Sequence, residues 1–223
     1  MHKIFMDDGV GFMELIETFG DDLTVVNAAR VSFDKVSTEL NEADKRLIRY
    51  LATHEHTSPF FHPQVRLRIK MPIFVAREWF RHTIGFARNE VSRRYVDTPP
   101  ECWVPAAENI RERDPRAKQG SKATAVAEAD EVHLLLREQT ERALATYHQL
   151  LERGVAPEIA RSILPQSMYT EFMETASLAA VARLCGLRTS PDAQKEIRDY
   201  AAALSRMMET AFPVSWAALS KRA

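Results

Sequence analysis

Residues 64–95 read QVRLRIKMPIFVAREWFRHTIGFARNEVSRRY, and this stretch predicts the central elements of the fold. Over residues 64–71 apolar Val, Leu, Ile and Met side chains alternate with Arg and Lys, which predicts a strand with one face toward the core. The proline that follows ends the strand and begins a helix predicted over residues 73–83. On that helix Arg77 and Arg81 share one face, because side chains four positions apart are neighbours. The remainder of the stretch is predicted to be a loop.

Arginine is concentrated in the second half of this stretch. Five arginines occur in REWFRHTIGFARNEVSRRY, residues 77–95, around His82, Glu90 and Ser92. Guanidinium groups bind phosphate through paired hydrogen bonds, while a carboxylate and a hydroxyl add groups that phosphate alone does not need. The residues therefore indicate a site for a multiply charged anion, and the expected ligand is a nucleotide.

Two other interpretations of these arginines remain open from the residues alone. Most surface arginines form solvated ion pairs of little energetic value. Trp79, Phe80 and Phe86 are interleaved with the basic residues, a pattern that also suits a groove for single-stranded nucleic acid. A nucleic-acid-binding module without catalysis is the functional alternative that follows from this second interpretation.

The composition is that of one globular domain. The chain has 223 residues, 45% of them apolar and 27% charged, which suits a single domain with a sizeable core. The net charge is -1, so no global field attracts nucleic acid or membranes, and local clusters must carry anion binding. A cytoplasmic protein is predicted, because the chain has only two cysteines, no apolar run of about 18 to 20 residues and no signal-peptide core.

Hydrophobic spacing and turn residues predict the remaining elements. A short strand and a helical turn at 11–18 come first, and residues 98–130 are predicted to form an exposed insertion or lid. Helices are predicted over residues 23–31, 41–54, 132–154, 157–164 and 168–187, with a last one opened by Ser190-Pro191. The sum is a helix-rich α+β single domain with a small antiparallel sheet.

One order of residues in the basic segment is typical of a known family. Arg81-His82, followed by Asn89-Glu90-Val91-Ser92-Arg93-Arg94-Tyr95, resembles the signature of the flavin-dependent thymidylate synthases. Two departures mark this chain: Thr83 stands where the family usually has Arg, and one more residue separates the two halves. We expect Arg88 to supply the guanidinium that Thr83 does not.

Segments outside the signature extend the resemblance over nearly the whole chain. They are ARVSFD at residues 29–34, the Ser-Pro-Phe run that begins at Ser58, Arg161 before Leu-Pro, and Arg188. The resemblance implies contacts to deoxyuridylate (dUMP) from Glu78, Arg81, Glu90, Ser92, Arg93, Arg94, Arg161 and Arg188. It implies contacts to FAD from Ser32, His56, Ser58, Arg81, His82, Thr83, Glu90, Ser177 and Arg183.

Four further positions depart from the family's usual residues. Ser177 and Arg183 stand where asparagine is common, Asp192 where histidine is common, and Glu78 where glutamine is frequent. A carboxylate beside a phosphate is repulsive unless a neighbouring guanidinium neutralises it. We therefore expect Arg77 or Arg81 to neutralise Glu78.

Histidines at positions 54, 56 and 62 raise the question of a metal site. Their spacing does not match the helical two-histidine zinc motif, and Pro59 interrupts any regular presentation. Polar residues at a helix end are the simpler interpretation. No metal is predicted.

The resemblance also implies a reaction and an assembly. The reaction is reductive methylation of dUMP to dTMP, with 5,10-methylenetetrahydrofolate as carbon donor and NADPH-reduced FAD as hydride source. Arg188 is the expected catalytic residue, because a fixed cation stabilises negative charge on the uracil ring, and Cys185 is the one cysteine worth testing as a nucleophile. A homotetramer with shared active sites is implied, and FAD binding is not Rossmann-like, since the glycine-rich fingerprint is absent. Transfer of hydroxymethyl instead of methyl is the enzymatic alternative.

Overall fold

The computed structural model describes residues 2–96, 98–116 and 120–220. The strands of this part of the chain are β1 (His2–Phe5), β2 (Phe12–Phe19), β3 (Gln64–Pro72), β4 (Phe86–Glu90), β5 (Arg111–Arg113), β6 (Ser121–Ala125) and β7 (Tyr169–Ser177). Five of them form an antiparallel sheet in the order β1-β2-β3-β7-β4. β5 and β6 form a separate hairpin within the predicted insertion, of which residues 117–119 lie outside the described residues.

Helices account for more of the described residues than strands do. They are α1 (Asp22–Arg30), α2 (Glu42–Thr53), α3 (Ile73–Trp79), α4 (Ala129–Glu152), α5 (Pro157–Ala160), α6 (Leu178–Arg188), α7 (Lys195–Ala211) and α8 (Pro213–Ser220). The combination confirms the predicted helix-rich α+β fold with a small antiparallel sheet.

The central strand β3 is the element that the sequence predicts best. Val65, Leu67 and Ile69 are buried, while the arginines between them are exposed. The apolar side chains join one hydrophobic cluster with Leu184 of α6 and Leu204 of α7. Each such buried side chain stabilises the fold by about 1.5–3 kcal/mol. The cluster thereby fixes α6 against the sheet and determines where its C-terminal end lies.

Of the segments predicted to be helical, one is a strand and another is half strand and half helix. Residues 11–18 belong largely to β2, and the segment 168–187 divides into β7 and α6 at Ser177. The prediction fails in β7 because Thr170 and Glu174 are buried there, and polar residues at inward positions hide the period of two. Pairing of β7 with β3 on one side and β4 on the other supplies the stability that the local pattern does not indicate.

Three predicted boundaries are also wrong. The helix α3 ends at Trp79, so Arg81 lies on the following turn and does not share a helical face with Arg77. The segment predicted to be a loop contains β4, which pairs with β7. The helix α7 begins at Lys195, because the chain forms a turn first, in which the Ala193 N–H donates to the carbonyl of Ser190.

Asp22 ties the first helix to the last, and its removal should lower stability. Its buried carboxylate accepts hydrogen bonds from the backbone N–H groups of Val214 and Ser215, at 2.9 and 2.8 Å, at the start of α8. We expect Asp22→Ala to lower the free energy of unfolding by about 1–2 kcal/mol, the usual cost of losing a helix cap. Urea titration measures it, with the exposed Glu209→Ala as a control expected to change stability by less than about 0.5 kcal/mol. Equal effects of the two variants would contradict the capping role.

Candidate active site

The loop between α3 and β4 carries the Arg-His pair of the signature. Gly85 ends this loop with a φ of 81°, a conformation that L side chains rarely adopt. A Cβ atom at Gly85 would lie only 2.8 Å from both the Ser177 hydroxyl and the Ala180 side chain. The loop therefore ends in a tight turn packed against the start of α6.

Arg188, the last residue of α6, is held by two predicted site residues. Its Nε donates to Nε2 of His82 at 3.1 Å, and its Nη1 lies 3.3 Å from Oε2 of Glu78. The described ion pair of Glu78 is therefore with Arg188, and not with Arg77 or Arg81 as expected. Two of the five N–H donors of the guanidinium are used on these neighbours, which leaves others for a ligand.

His82 is a neutral acceptor in this arrangement. Burial lowers the pKa of its ring below the ordinary value of 6.5, and the guanidinium groups of Arg188, Arg88 and Arg183 lower the pKa further. A neutral ring can accept the hydrogen bond from Arg188, whereas an imidazolium cannot. Because the unfolded chain binds this proton more readily, the neutral ring contributes stability that is fully present above pH 6.5 and is lost as the pH falls through the lowered pKa.

The titration of His82 gives a direct test of this contact. We expect the ring, followed by NMR, to titrate with a midpoint below 6.5 in the unliganded protein. Arg188→Ala should raise that midpoint, because a cation at hydrogen-bond distance is lost. Arg206→Ala, a change at an exposed position of α7, removes a charge elsewhere and should leave the midpoint unchanged. A midpoint that does not respond to Arg188→Ala would show that the two side chains are apart in solution.

A cavity of about 670 Å³, the Arg188 cavity, contains one group of the predicted dUMP residues. Glu78, Arg81 and Arg188 line it. The β5–β6 hairpin also contributes to the lining, with Arg111 and Lys122. The sequence predicts an exposed insertion or lid in this region but does not indicate which residues it lies beside.

A second cavity of about 500 Å³, the Arg94 cavity, contains the other group of predicted dUMP residues. Its lining includes Glu90, Ser92, Arg93, Arg94 and Arg161. Within it the Ser92 hydroxyl accepts a hydrogen bond from Nε of Arg94 at 3.2 Å, so the two signature residues orient one another.

The two cavities have no lining residue in common among the described residues. Along the chain they are separated by β4, since Arg81 precedes this strand and Ser92 follows it. Five extended residues span about 16 Å. Arg81 and Ser92 therefore lie at opposite ends of β4.

The predicted FAD residues are only partly brought together. Arg183 lines a third cavity of about 470 Å³, with Phe60, Ala179, Ala182 and Leu187 among its apolar neighbours. The remaining predicted residues do not line it: Ser32 and Thr83 are exposed on turns, Ser58 lies in a 3-10 turn, the ring of His56 stacks on Tyr50, and the buried Ser177 caps α6.

Two further expectations are contradicted by burial. Arg88 is not available to replace the guanidinium missing at Thr83, because its largely buried side chain is held in an ion pair with the buried Glu174. The thiol of Cys185 is also buried, and desolvation raises its pKa far above the ordinary range. A thiol in this state is not a nucleophile at neutral pH.

No helix among the described residues is both long enough and apolar enough to cross a bilayer.

Comparison with known sequences gives a consistent result. The sequence model of the family described as “Thymidylate synthase complementing protein” matches residues 14–214. A flavin-dependent thymidylate synthase from Thermus thermophilus is 41% identical over 211 residues, which is 95% of this chain and 76% of the relative. Another from Kosmotoga olearia is 41% identical over 209 residues, which is 93% of this chain and 89% of the relative.

Comparison with solved structures agrees. The crystal structure of a UMP/dUMP methylase, PolB from Streptomyces cacaoi, bound with 5-Br dUMP has a TM-score of 0.85 and 30% sequence identity. The match covers 94% of each chain. The same methylase bound with 5-Br UMP has a TM-score of 0.83 and 29% identity. The likeness therefore extends over nearly the whole chain.

Proposed function

The chain belongs to the flavin-dependent thymidylate synthase family, and we propose that the Arg188 cavity and the Arg94 cavity are the two halves of its active site. The enzyme is a methyltransferase that converts dUMP to dTMP, with 5,10-methylenetetrahydrofolate as carbon donor and NADPH as reductant of FAD. When bound, FAD supplies the hydride. The protein must bind dUMP, orient its ring and stabilise the charge that develops on it.

The observation that carries the proposal is the fixed position of Arg188. Methylation at C5 of uracil requires electron density at a poor carbon nucleophile, which puts negative charge on the ring. A guanidinium already held by His82 and Glu78 stabilises that charge without reorganising during the reaction. Arg188 is the catalytic residue of this proposal, and His82 and Glu78 orient it.

The Arg94 cavity suits the phosphate of dUMP. Arg93, Arg94 and Arg161 present cations to it, and Ser92 adds a hydroxyl. Guanidinium groups bind phosphate through charge-assisted, often paired, hydrogen bonds. Glu90, whose carboxylate accepts a hydrogen bond from Thr170, lies at the same wall and is turned toward the protein by that bond.

The third cavity has the character of a site for part of FAD. Phe60 and Leu187 provide apolar surface for an aromatic ring, and Arg183 provides a cation at its edge. Such a mixture of apolar walls with few polar groups is typical of cofactor sites. Arg183 therefore remains a proposed FAD residue, in addition to Arg81 and His82 near the Arg188 cavity.

No described residue of a protomer lines both cavities, which supports an active site assembled from two subunits. We propose a homotetramer in which one subunit provides the Arg188 cavity and another the Arg94 cavity. On α4, Leu134, Leu135 and Leu136 are 46%, 56% and 40% exposed, an apolar surface that an interface would cover. A cytoplasmic location is also proposed, because Cys102 and Cys185 are free thiols.

The visible spectrum of the purified protein tests the function. With FAD added under anaerobic conditions, we expect a bound flavin whose absorbance bleaches on addition of NADPH, at a rate that dUMP changes. Addition of 5,10-methylenetetrahydrofolate should then yield dTMP, and product analysis separates it from a hydroxymethyl product. A protein that retains no flavin under any of these conditions would exclude the proposed chemistry.

A further inference from the structure

A buried ion pair lies directly behind the loop that carries His82. Arg88 of β4 and Glu174 of β7 are opposite one another in the sheet register, and Nε of Arg88 donates to Oε2 of Glu174. The Glu174 side chain is completely buried. Its two oxygens also accept from the indole N–H of Trp79, at 3.1 and 3.2 Å. Burial raises the pKa of Glu174, and Arg88 and Trp79 offset part of that rise.

The same guanidinium also holds the loop. Nη1 of Arg88 donates to the carbonyl oxygen of His82 at 2.7 Å. The guanidinium carbon lies 4.6 Å from the centre of the Phe86 ring and 5.2 Å from that of Phe80. The rigid guanidinium of Arg88 is thus held at Nε by the Glu174 carboxylate and on its faces by two aromatic rings. Its Nη1 donates to the backbone of the loop.

Neighbouring groups restrain the rest of this loop in the same manner. Nη2 of Arg183 donates to the carbonyl of Ile84 at 2.6 Å, and the Ser177 N–H donates to the carbonyl of Gly85 at 3.0 Å. The carbonyl of Thr83 accepts from the Phe86 N–H at 3.2 Å, so all four carbonyls from His82 to Gly85 bind donors from β4, β7 or α6. The backbone of the loop has one defined path, and the direction of the His82 side chain follows from it.

The ion pair is poorly explained by stability alone. Replacing a buried ion pair with neutral residues of similar volume is often neutral or stabilising, because desolvation offsets the attraction. In addition, Nη2 of Arg88 is buried and makes no hydrogen bond within the described part of the chain. We therefore expect this ion pair to fix the position of a neighbouring group.

We propose that Arg88 is a positioning residue for the methylation reaction: through the carbonyl of His82 it directs the imidazole ring toward Arg188, while Glu174 and Trp79 hold Arg88 in place. The connection runs from Glu174 through Arg88 to the backbone of His82, and from the His82 ring to Arg188. This inference rests on the proposed function, in which Arg188 is the catalytic cation.

The test uses a variant that removes the ion pair without leaving a buried charge. Arg88→Met combined with Glu174→Gln is neutral, and the glutamine oxygen can still accept from Trp79. We expect this double variant to unfold at a urea concentration close to that of the wild type and to retain FAD. Its kcat should fall by about 10- to 100-fold, because a small displacement of a catalytic group has effects of that size, while the KM for dUMP changes less.

A second comparison separates positioning from a structural role. If Arg88 acts through Arg188, adding the double change to Arg188→Ala should lower kcat no further, since the contribution has already been lost. Arg88→Lys should keep the charge opposite Glu174 and the stability, but it should lose rate, because an ammonium lacks the fixed fork. The matched control is Arg66→Met with Glu17→Gln, an exposed pair between β2 and β3, which should leave kcat unchanged.

Failure of the inference is distinguishable from failure of the proposed function. A wild-type protein that makes no dTMP overturns the function. A wild-type protein that makes dTMP, together with a folded double variant of unchanged kcat, overturns only the role of Arg88. A rate loss that multiplies with that of Arg188→Ala also overturns it, because the two residues would then act independently.

Discussion

Replacing Arg188 with alanine is expected to lower kcat/KM for dUMP by about 10²–10³, the usual effect of removing one preorganised charge-stabilising donor. The loss should appear mainly in kcat, because the guanidinium acts on charge that develops during the reaction. FAD should still bind, and the protein should remain folded, since the change removes only the partly buried contacts of the Arg188 side chain with His82 and Glu78. Steady-state kinetics with dUMP as the varied substrate measures the effect.

The matched control is Arg198→Ala, which removes one positive charge from the lining of the same cavity. The Arg198 side chain donates to the carbonyl of Pro191 at 2.9 Å and does not contact His82 or Glu78. Its loss weakens only the general field in the cavity, and long-range effects of exposed charges are screened by salt. Equal losses from Arg188→Ala and Arg198→Ala would mean that the field of the cavity, and not a directed guanidinium, provides the catalysis.

The sequence predicts β3 but not β7, although the two strands pair over their whole length. In β3 the polar and apolar residues alternate, so the buried face is visible in the sequence. In β7 the fully buried Glu174 occupies a core position, and only its partner makes this position tolerable. That partner, Arg88, is 86 residues away in sequence and opposite in the sheet. Residues so far apart in the chain give no local pattern from which the strand β7 could be predicted.

The candidate site shows the same limit in another form. Resemblance in sequence names Arg188 and Arg94 one by one, and residue chemistry explains why an anion needs them. Whether they meet in one protomer depends on β4, whose extended backbone separates the turn at Arg81 from the turn at Ser92. The polar residues of the signature do not alternate with apolar ones, so the sequence predicts a loop in place of β4. For the same reason the sequence does not predict the division of the site residues between two cavities.

Mixing two inactive variants is expected to restore activity if the active site is shared. Arg188→Ala and Arg94→Ala alter different half-sites, and each should be nearly inactive alone. In a mixed pair of subunits, one active site combines the intact Arg188 cavity of one protomer with the intact Arg94 cavity of the other. Random assembly places half of the chains in mixed pairs, and one of the two sites in each mixed pair is intact. About a quarter of the wild-type activity should therefore return.

A control within the same half-site makes this result specific. Arg94 and Arg161 line the same cavity, so mixing Arg94→Ala with Arg161→Ala leaves every phosphate site lacking one guanidinium. No recovery is expected there, although subunits exchange to the same extent. Co-expression mixes the subunits, two different affinity tags verify that mixed oligomers form, and dTMP formation is measured on the unselected mixture. If the Arg188→Ala and Arg94→Ala mixture also fails to recover, the two cavities serve one protomer, and the assembly of the site from two subunits is wrong.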